Sequence, residues 1–97
     1  MRDCDLVPGY VYILRCADRR LYYGSTGDLS RRIAEHQLGL VRSTAPRRPL
    51  TLVYVEICES TAQARRREQA LKNGRTRRKT IDRLIADFPN DRLTAFA

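Results

Sequence analysis

Histidine, cysteine, lysine and the breakers of regular structure are all scarce in this chain of 97 residues. The only histidine is His36, and the three cysteines, Cys4, Cys16 and Cys58, are odd in number and far apart. No pair of them stands at metal-ligand or redox-motif spacing, which argues against a structural zinc site and against a disulfide framework. No apolar run approaches the roughly 20 residues that cross a bilayer. The opening Met1-Arg2-Asp3-Cys4-Asp5 puts acids where a signal peptide is basic and then apolar. The expectation is a cytoplasmic protein with no membrane partner. Five Gly and four Pro beside 42% hydrophobic residues exclude disorder along the whole length, so a packed domain is the default. Its size suffices for one modest core and no second folding unit.

Acidic residues are the minority. Nineteen Lys plus Arg against 11 Asp plus Glu give a net charge of +8, which excludes an acidic solvating tail and points to a polyanionic partner. Only Lys72 and Lys79 are lysine. The arginine bias suits bidentate phosphate contacts, and equally a GC-rich genome.

Residues 9–16, Gly9-Tyr10-Val11-Tyr12-Ile13-Leu14-Arg15-Cys16, are rich in aromatic and β-branched side chains. Leu21-Tyr22-Tyr23-Gly24 follows after a polar turn, so the pair reads as two short strands. Asp28 caps a helix over residues 29–38, Gly39 stops it, and Leu29, Ile33 and Leu40 are expected on one face. Residues 41–49 carry Pro46, Pro49 and three Arg without periodicity and read as an exposed basic loop. A third strand occupies residues 50–58. Ser60 with Gln63 resembles a capping box, opening a helix that runs to Asn73 and stops at Gly74. The last helix covers residues 76–88, with Ile81, Leu84, Ile85 and Phe88 on one stripe and Pro89 beyond it. The order predicts an α+β domain over residues 9–88: a small three-stranded antiparallel sheet flanked by three helices. Residues 1–8 and 90–97 are expected to be loosely held.

Three polar residues sit close to the inward faces of these helices. At 100° per residue, Arg32 and His36 border the stripe of Leu29 and Ile33. Glu68 is the lone carboxylate of an otherwise basic helix and lies near the inward side marked by Ala64 and Leu71. A carboxylate near a core edge must be paired, hydrogen-bonded or metal-bound. The structural reading pairs Arg32 with Glu68, lets His36 pack or cap, and treats the strand tyrosines as packing residues.

The combined pattern resembles the GIY-YIG nuclease family in residue type, order and spacing. It comprises Gly9-Tyr10-Val11-Tyr12, then Tyr22-Tyr23-Gly24-Ser25-Thr26-Gly27-Asp28-Leu29, then Arg32, His36 and Glu68. The likeness covers most of residues 9–88 and is strongest to the small single-domain members. Tyr10 stands where the family motif has its first Gly, and Tyr23 replaces an aliphatic residue in the second motif. Asn73 follows the glutamate too closely to match a late asparagine found in some members. The resemblance implies a metal-dependent endonuclease with Mg²⁺, or Mn²⁺, held by Glu68. It makes Tyr12 the candidate to activate water, with Tyr22 and His36 positioning the nucleophile or relaying the proton.

Chemistry asks for the same residue types. Phosphodiester hydrolysis needs a nucleophilic water, a cation at the phosphate and donors for the charge on its oxygens, and Arg32 suits the scissile phosphate. A tyrosine of ordinary pKa near 10 is a poor base, so nearby positive charge is expected to favour its phenolate. Binding is expected from Arg31, from Arg42, Arg47 and Arg48, and from Arg65, Arg66, Lys72, Arg75 and Lys79. With no second domain to read bases, the expected substrate is branched, flapped or single-stranded DNA more than RNA, in repair or recombination, unless a protein partner supplies specificity. The rival expectation is a non-catalytic nucleic-acid-binding module on the same fold.

Overall fold

In a computed structural model the protein is described over residues 8–73 and 78–88. Arg75, the helix stop at Gly74, the start of the last helix, Pro89 and, apart from Pro8, the ends expected to be loose lie outside the described residues. Three strands, β1 (Gly9–Arg15), β2 (Leu21–Thr26) and β3 (Thr51–Cys58), and three helices, α1 (Leu29–Gln37), α2 (Thr61–Lys72) and α3 (Arg78–Asp87), follow in the order β1-β2-α1-β3-α2-α3. The three-stranded sheet is antiparallel, as expected from sequence, and its strand order is β2-β1-β3. Among the described residues no helix is long and apolar enough to cross a membrane.

β1 is central and buried on both faces, because alternate side chains of a strand point to opposite sides. Tyr12, Leu14 and nearby Cys16 pack with Leu29, Ile33, Leu50 and Val55 on the side of α1. Val11 packs with Ala64 and Leu71 of α2, and Ile13 with Val53, Tyr54 and Ile81 on the side of α3. Leu84, Ile85 and Phe88 join that last cluster, as the helical stripe anticipated. The β1–β3 register slips between Ile13, opposite Tyr54, and Leu14, opposite Leu52. Val53 is thereby the extra residue of a bulge.

Helix ends follow local chemistry. Asp28 accepts from the Arg31 N–H at 3.2 Å, and Ser60 accepts from the Gln63 N–H at 3.1 Å. The Gln63 side chain reaches back to the Glu59 N–H at 2.7 Å, completing a variant of the capping box. Gly39, at φ +78°, ends α1. That turn corrects one expectation: Leu40 is thrown off the helical stripe and is 70% exposed. β2 also runs two residues past Gly24.

The segment expected to be an exposed basic loop is corrected as well. Val41 and Thr44 are buried, and Ala45–Arg47 forms a 3₁₀ turn. Arg42 and Arg48 remain exposed and Arg47 is part-buried, but the polar centre of the segment is drawn inward by His36.

Candidate active site

The site forms where the α1 face and the α2 face of the sheet meet around edge strand β2. Tyr12 lies opposite Gly24 in the β1–β2 register, and a Cβ at Gly24 would run into the tip of the Tyr12 ring. Glycine is needed there for close approach rather than for backbone freedom. The Tyr12 hydroxyl meets His36 Nε2 at 2.9 Å, and His36 Nδ1 meets Thr44 Oγ1 at 2.8 Å. Tyr12 is 1% exposed, and His36 and Thr44 are 0% exposed. The Tyr22 ring stands edge-on to the imidazole, with centroids 5.1 Å apart.

Arg32 is half-buried beside this pair. Its guanidinium charge acts on the Tyr12 oxygen, and its Nη1 donates to Glu35 Oε1 at 3.0 Å. Burial pushes the Tyr12 phenol up to about 12, against the pull of the Arg32 hydrogen bond and charge, while Tyr22 and Glu68 add to the rise. The expectation that positive surroundings would favour a standing phenolate is therefore corrected: desolvation outweighs Arg32. Burial, with help from the Arg32 charge, brings His36 down to about 4, so its imidazole is neutral at pH 7.

Glu68 approaches from the other face. Its Oε1 accepts from the Ser25 hydroxyl at 2.7 Å, and Lys72 Nζ is 3.1 Å from its Oε2. The Arg32–Glu68 pairing of the structural reading is replaced by these neighbours, since α1 and α2 cover opposite faces and each cation finds a carboxylate on its own helix. Glu68 still senses the cluster, because its charge acts on Tyr12. Arg32 and Ser25 line one open cleft of about 380 Å³, with Thr26, Asp28, Arg31 and Glu35.

The donor set suits a hard divalent cation. Glu68 and the Ser25 hydroxyl offer oxygen only, and among the described residues no group of three or more His, Cys, Asp or Glu stands together to hold a metal. One carboxylate with water and substrate oxygens filling the rest is the usual manner of Mg²⁺.

The basic residues divide. Arg31 is exposed on the cleft and 3.4 Å from Glu35, Arg47 pairs with Asp18, and Lys72 is committed to Glu68. Arg48 binds the Ala45 and Gln37 carbonyls, and Arg42 and Lys79 are exposed. Arg65 and Arg66 line a second open groove of about 430 Å³ with Thr61, Ala62 and Gln69. Sequence reasoning passed over Ser25, Glu35 and Thr44. A hydroxyl directly after the glycine of the second motif was a usable signal for Ser25; nothing in the sequence marked Thr44.

A family profile described as the GIY-YIG catalytic domain matches residues 8–82. The chain belongs to the GIY-YIG family, a nuclease family. Within it, the chain is similar to small UPF0213 proteins. One from Desulfotalea psychrophila is 44% identical over 82 residues, covering 81% of this chain and 74% of the relative. Another from Natronomonas pharaonis is 42% identical over 79 residues, covering 80% and 91%. The solution NMR structure of UPF0213 protein BH0048 from Bacillus halodurans aligns with a TM-score of 0.53 at 34% identity, covering 90% of this chain and 93% of that one.

Proposed function

We propose that the chain is a metal-dependent endonuclease that hydrolyses phosphodiester bonds of DNA, directed by branched or single-stranded structure with little sequence preference, in DNA repair or recombination. The observation that carries this reading is the buried 2.9 Å hydrogen bond between Tyr12 and His36 beside Arg32. With a phenol near 12 and a neutral imidazole, Tyr12 works as a relay. The attacking water gives its proton to the Tyr12 oxygen as the Tyr12 proton passes to His36 Nε2. The water oxygen bonds to phosphorus, the bond to the leaving oxygen breaks, and that oxygen takes up a proton from solvent. Arg32 binds the scissile phosphate and Tyr22 helps position the water. Glu68, whose Oε1 accepts from Ser25, would exchange the Lys72 contact of its Oε2 for Mg²⁺ or Mn²⁺, which supplies charge neutralisation at the phosphate when bound.

The near-complete burial of Tyr12 favours a second reading, a nucleic-acid-binding module without turnover, in which the hydroxyl only packs and pairs. Incubation with labelled DNA and RNA structures in Mg²⁺, Mn²⁺ or EDTA separates the two. The nuclease reading expects metal-dependent cutting of DNA, abolished by Glu68→Ala with nucleic-acid affinity intact or slightly raised. Undiminished cutting by that variant would remove Glu68 from the metal site, and salt-sensitive binding without cutting would establish the module.

A further inference from the structure

Thr44 is fully buried although Arg42, Ser43, Pro46 and Arg48 around it are exposed. It precedes the 3₁₀ turn Ala45–Arg47, where a threonine hydroxyl ordinarily caps free backbone N–H groups, yet this hydroxyl caps none. It turns inward, 2.8 Å from His36 Nδ1 and 3.4 Å from the Val41 carbonyl oxygen. The Val41 carbonyl offers the hydroxyl proton an acceptor, which leaves the oxygen free to accept from the imidazole. Nδ1 then carries the proton, and Nε2 faces the Tyr12 hydroxyl as a bare acceptor. The opposite tautomer is worse at the Tyr12 end: its oxygen would face Nε2–H beside the Arg32 charge, and its own proton would lose the acceptor that Nε2 now provides. The Val41 carbonyl does not decide, since it also accepts from the Thr44 and Ala45 N–H groups at 3.1 and 2.9 Å.

We propose that Thr44 is a positioning residue: by accepting from Nδ1–H it fixes His36 in the tautomer whose Nε2 takes the Tyr12 proton during hydrolysis. The proton leaves the Tyr12 oxygen for Nε2 and is replaced there by one from the attacking water, while the leaving oxygen takes its proton from solvent. The inference rests on the nuclease reading for its chemistry, but its geometry is measurable without substrate. Because His36 is the only histidine, the imidazole ¹⁵N spectrum of the tag-free chain near neutral pH contains a single ring. The expected result is a protonated Nδ1 and an unprotonated Nε2. Thr44→Val should lose that preference and cut roughly 10- to 100-fold more slowly, the scale seen when an orienting partner of a functional imidazole is removed. Thr44→Ser should restore tautomer and rate together. A wild-type ring protonated on Nε2 would overturn the proposal, as would Thr44→Val keeping the wild-type tautomer and rate. If the valine variant does not fold, the wild-type and serine spectra decide. A tautomer that follows Thr44 in a chain that cuts nothing supports the positioning role and overturns the nuclease reading.

Discussion

At the scale of single residues, Tyr12 and His36 place opposing demands on the fold. Each is uncharged in the folded state because burial disfavours its charged form, and each finds its partner in the other. Removing only the hydroxyl, as in Tyr12→Phe, keeps the ring's apolar area and should cost about 1 kcal/mol, the usual worth of one hydrogen bond. Cleavage should nevertheless fall roughly 100-fold or more with little change in affinity, the mark of losing proton transfer. A variant that melts near wild type and cuts near wild type would make Tyr12 a packing residue. His36 gives a second, independent readout. Its folded pKa of about 4 lies below the ordinary imidazole value of 6.5, so between those limits the unfolded chain binds a proton that the folded chain refuses. Stability is thus full above pH 6.5, falls as pH drops towards 4, and levels off below. About 2 kcal/mol should be lost between pH 7 and pH 5, before the carboxylates titrate. Urea unfolding across that range checks the sign: a midpoint that stays constant or rises on acidification would contradict a neutral buried imidazole.

At the scale of elements, β2 decides where the chemistry sits, and Gly24 decides whether Tyr12 can reach it. Gly24→Ala would set a methyl against the Tyr12 ring inside a paired strand. Such overpacking should cost about 1–3 kcal/mol, and cleavage should fall because the hydroxyl is pushed from His36. Thermal melting and a cleavage assay check this, and wild-type values in both would show that the ring has room to spare. These elements were legible in the sequence wherever local chemistry settles them. Asp28, Ser60 and Gly39 announce helix ends, and the period of Ile81, Leu84, Ile85 and Phe88 announces a buried stripe. Leu40 misled because helical geometry was carried one residue beyond a glycine that reverses the chain. The 41–49 segment misled because composition reports solubility of a segment on average, whereas Thr44 is turned inward to a residue eight positions earlier. The identities Tyr12, Arg32, His36 and Glu68 could be picked out by pattern. Their partners Ser25, Glu35 and Thr44, and the burial that raises the Tyr12 pKa, depend on which faces meet in three dimensions.

At the scale of the whole molecule, the charge of +8 is unevenly committed. Arg47, Arg67, Lys72 and Arg78 each pair with a carboxylate, while Arg65 and Arg66 pair with none among the described residues. Their groove neighbours the cleft of Arg32 and Ser25, because Thr61 on its rim lies against Gly27, between the cleft residues Thr26 and Asp28. A nucleic-acid backbone seated at Arg32 can therefore continue past Gly27 and Thr61 to Arg65 and Arg66. Each phosphate neutralised contributes about 0.9 to the slope of log affinity against log salt for duplex DNA and about 0.7 for single strands. Arg65→Gln and Arg66→Gln together should lower that slope by about 1.4 to 1.8, and should weaken all sequences alike because phosphate contacts carry no base information. Folding should be unchanged, since both side chains are exposed. Binding titrations from low to moderate salt, on duplex and single-stranded DNA of several sequences, test this directly. A slope equal to wild type would move the backbone path to the Arg42 and Arg48 side of the molecule, and a loss confined to one sequence would mean that these arginines read bases.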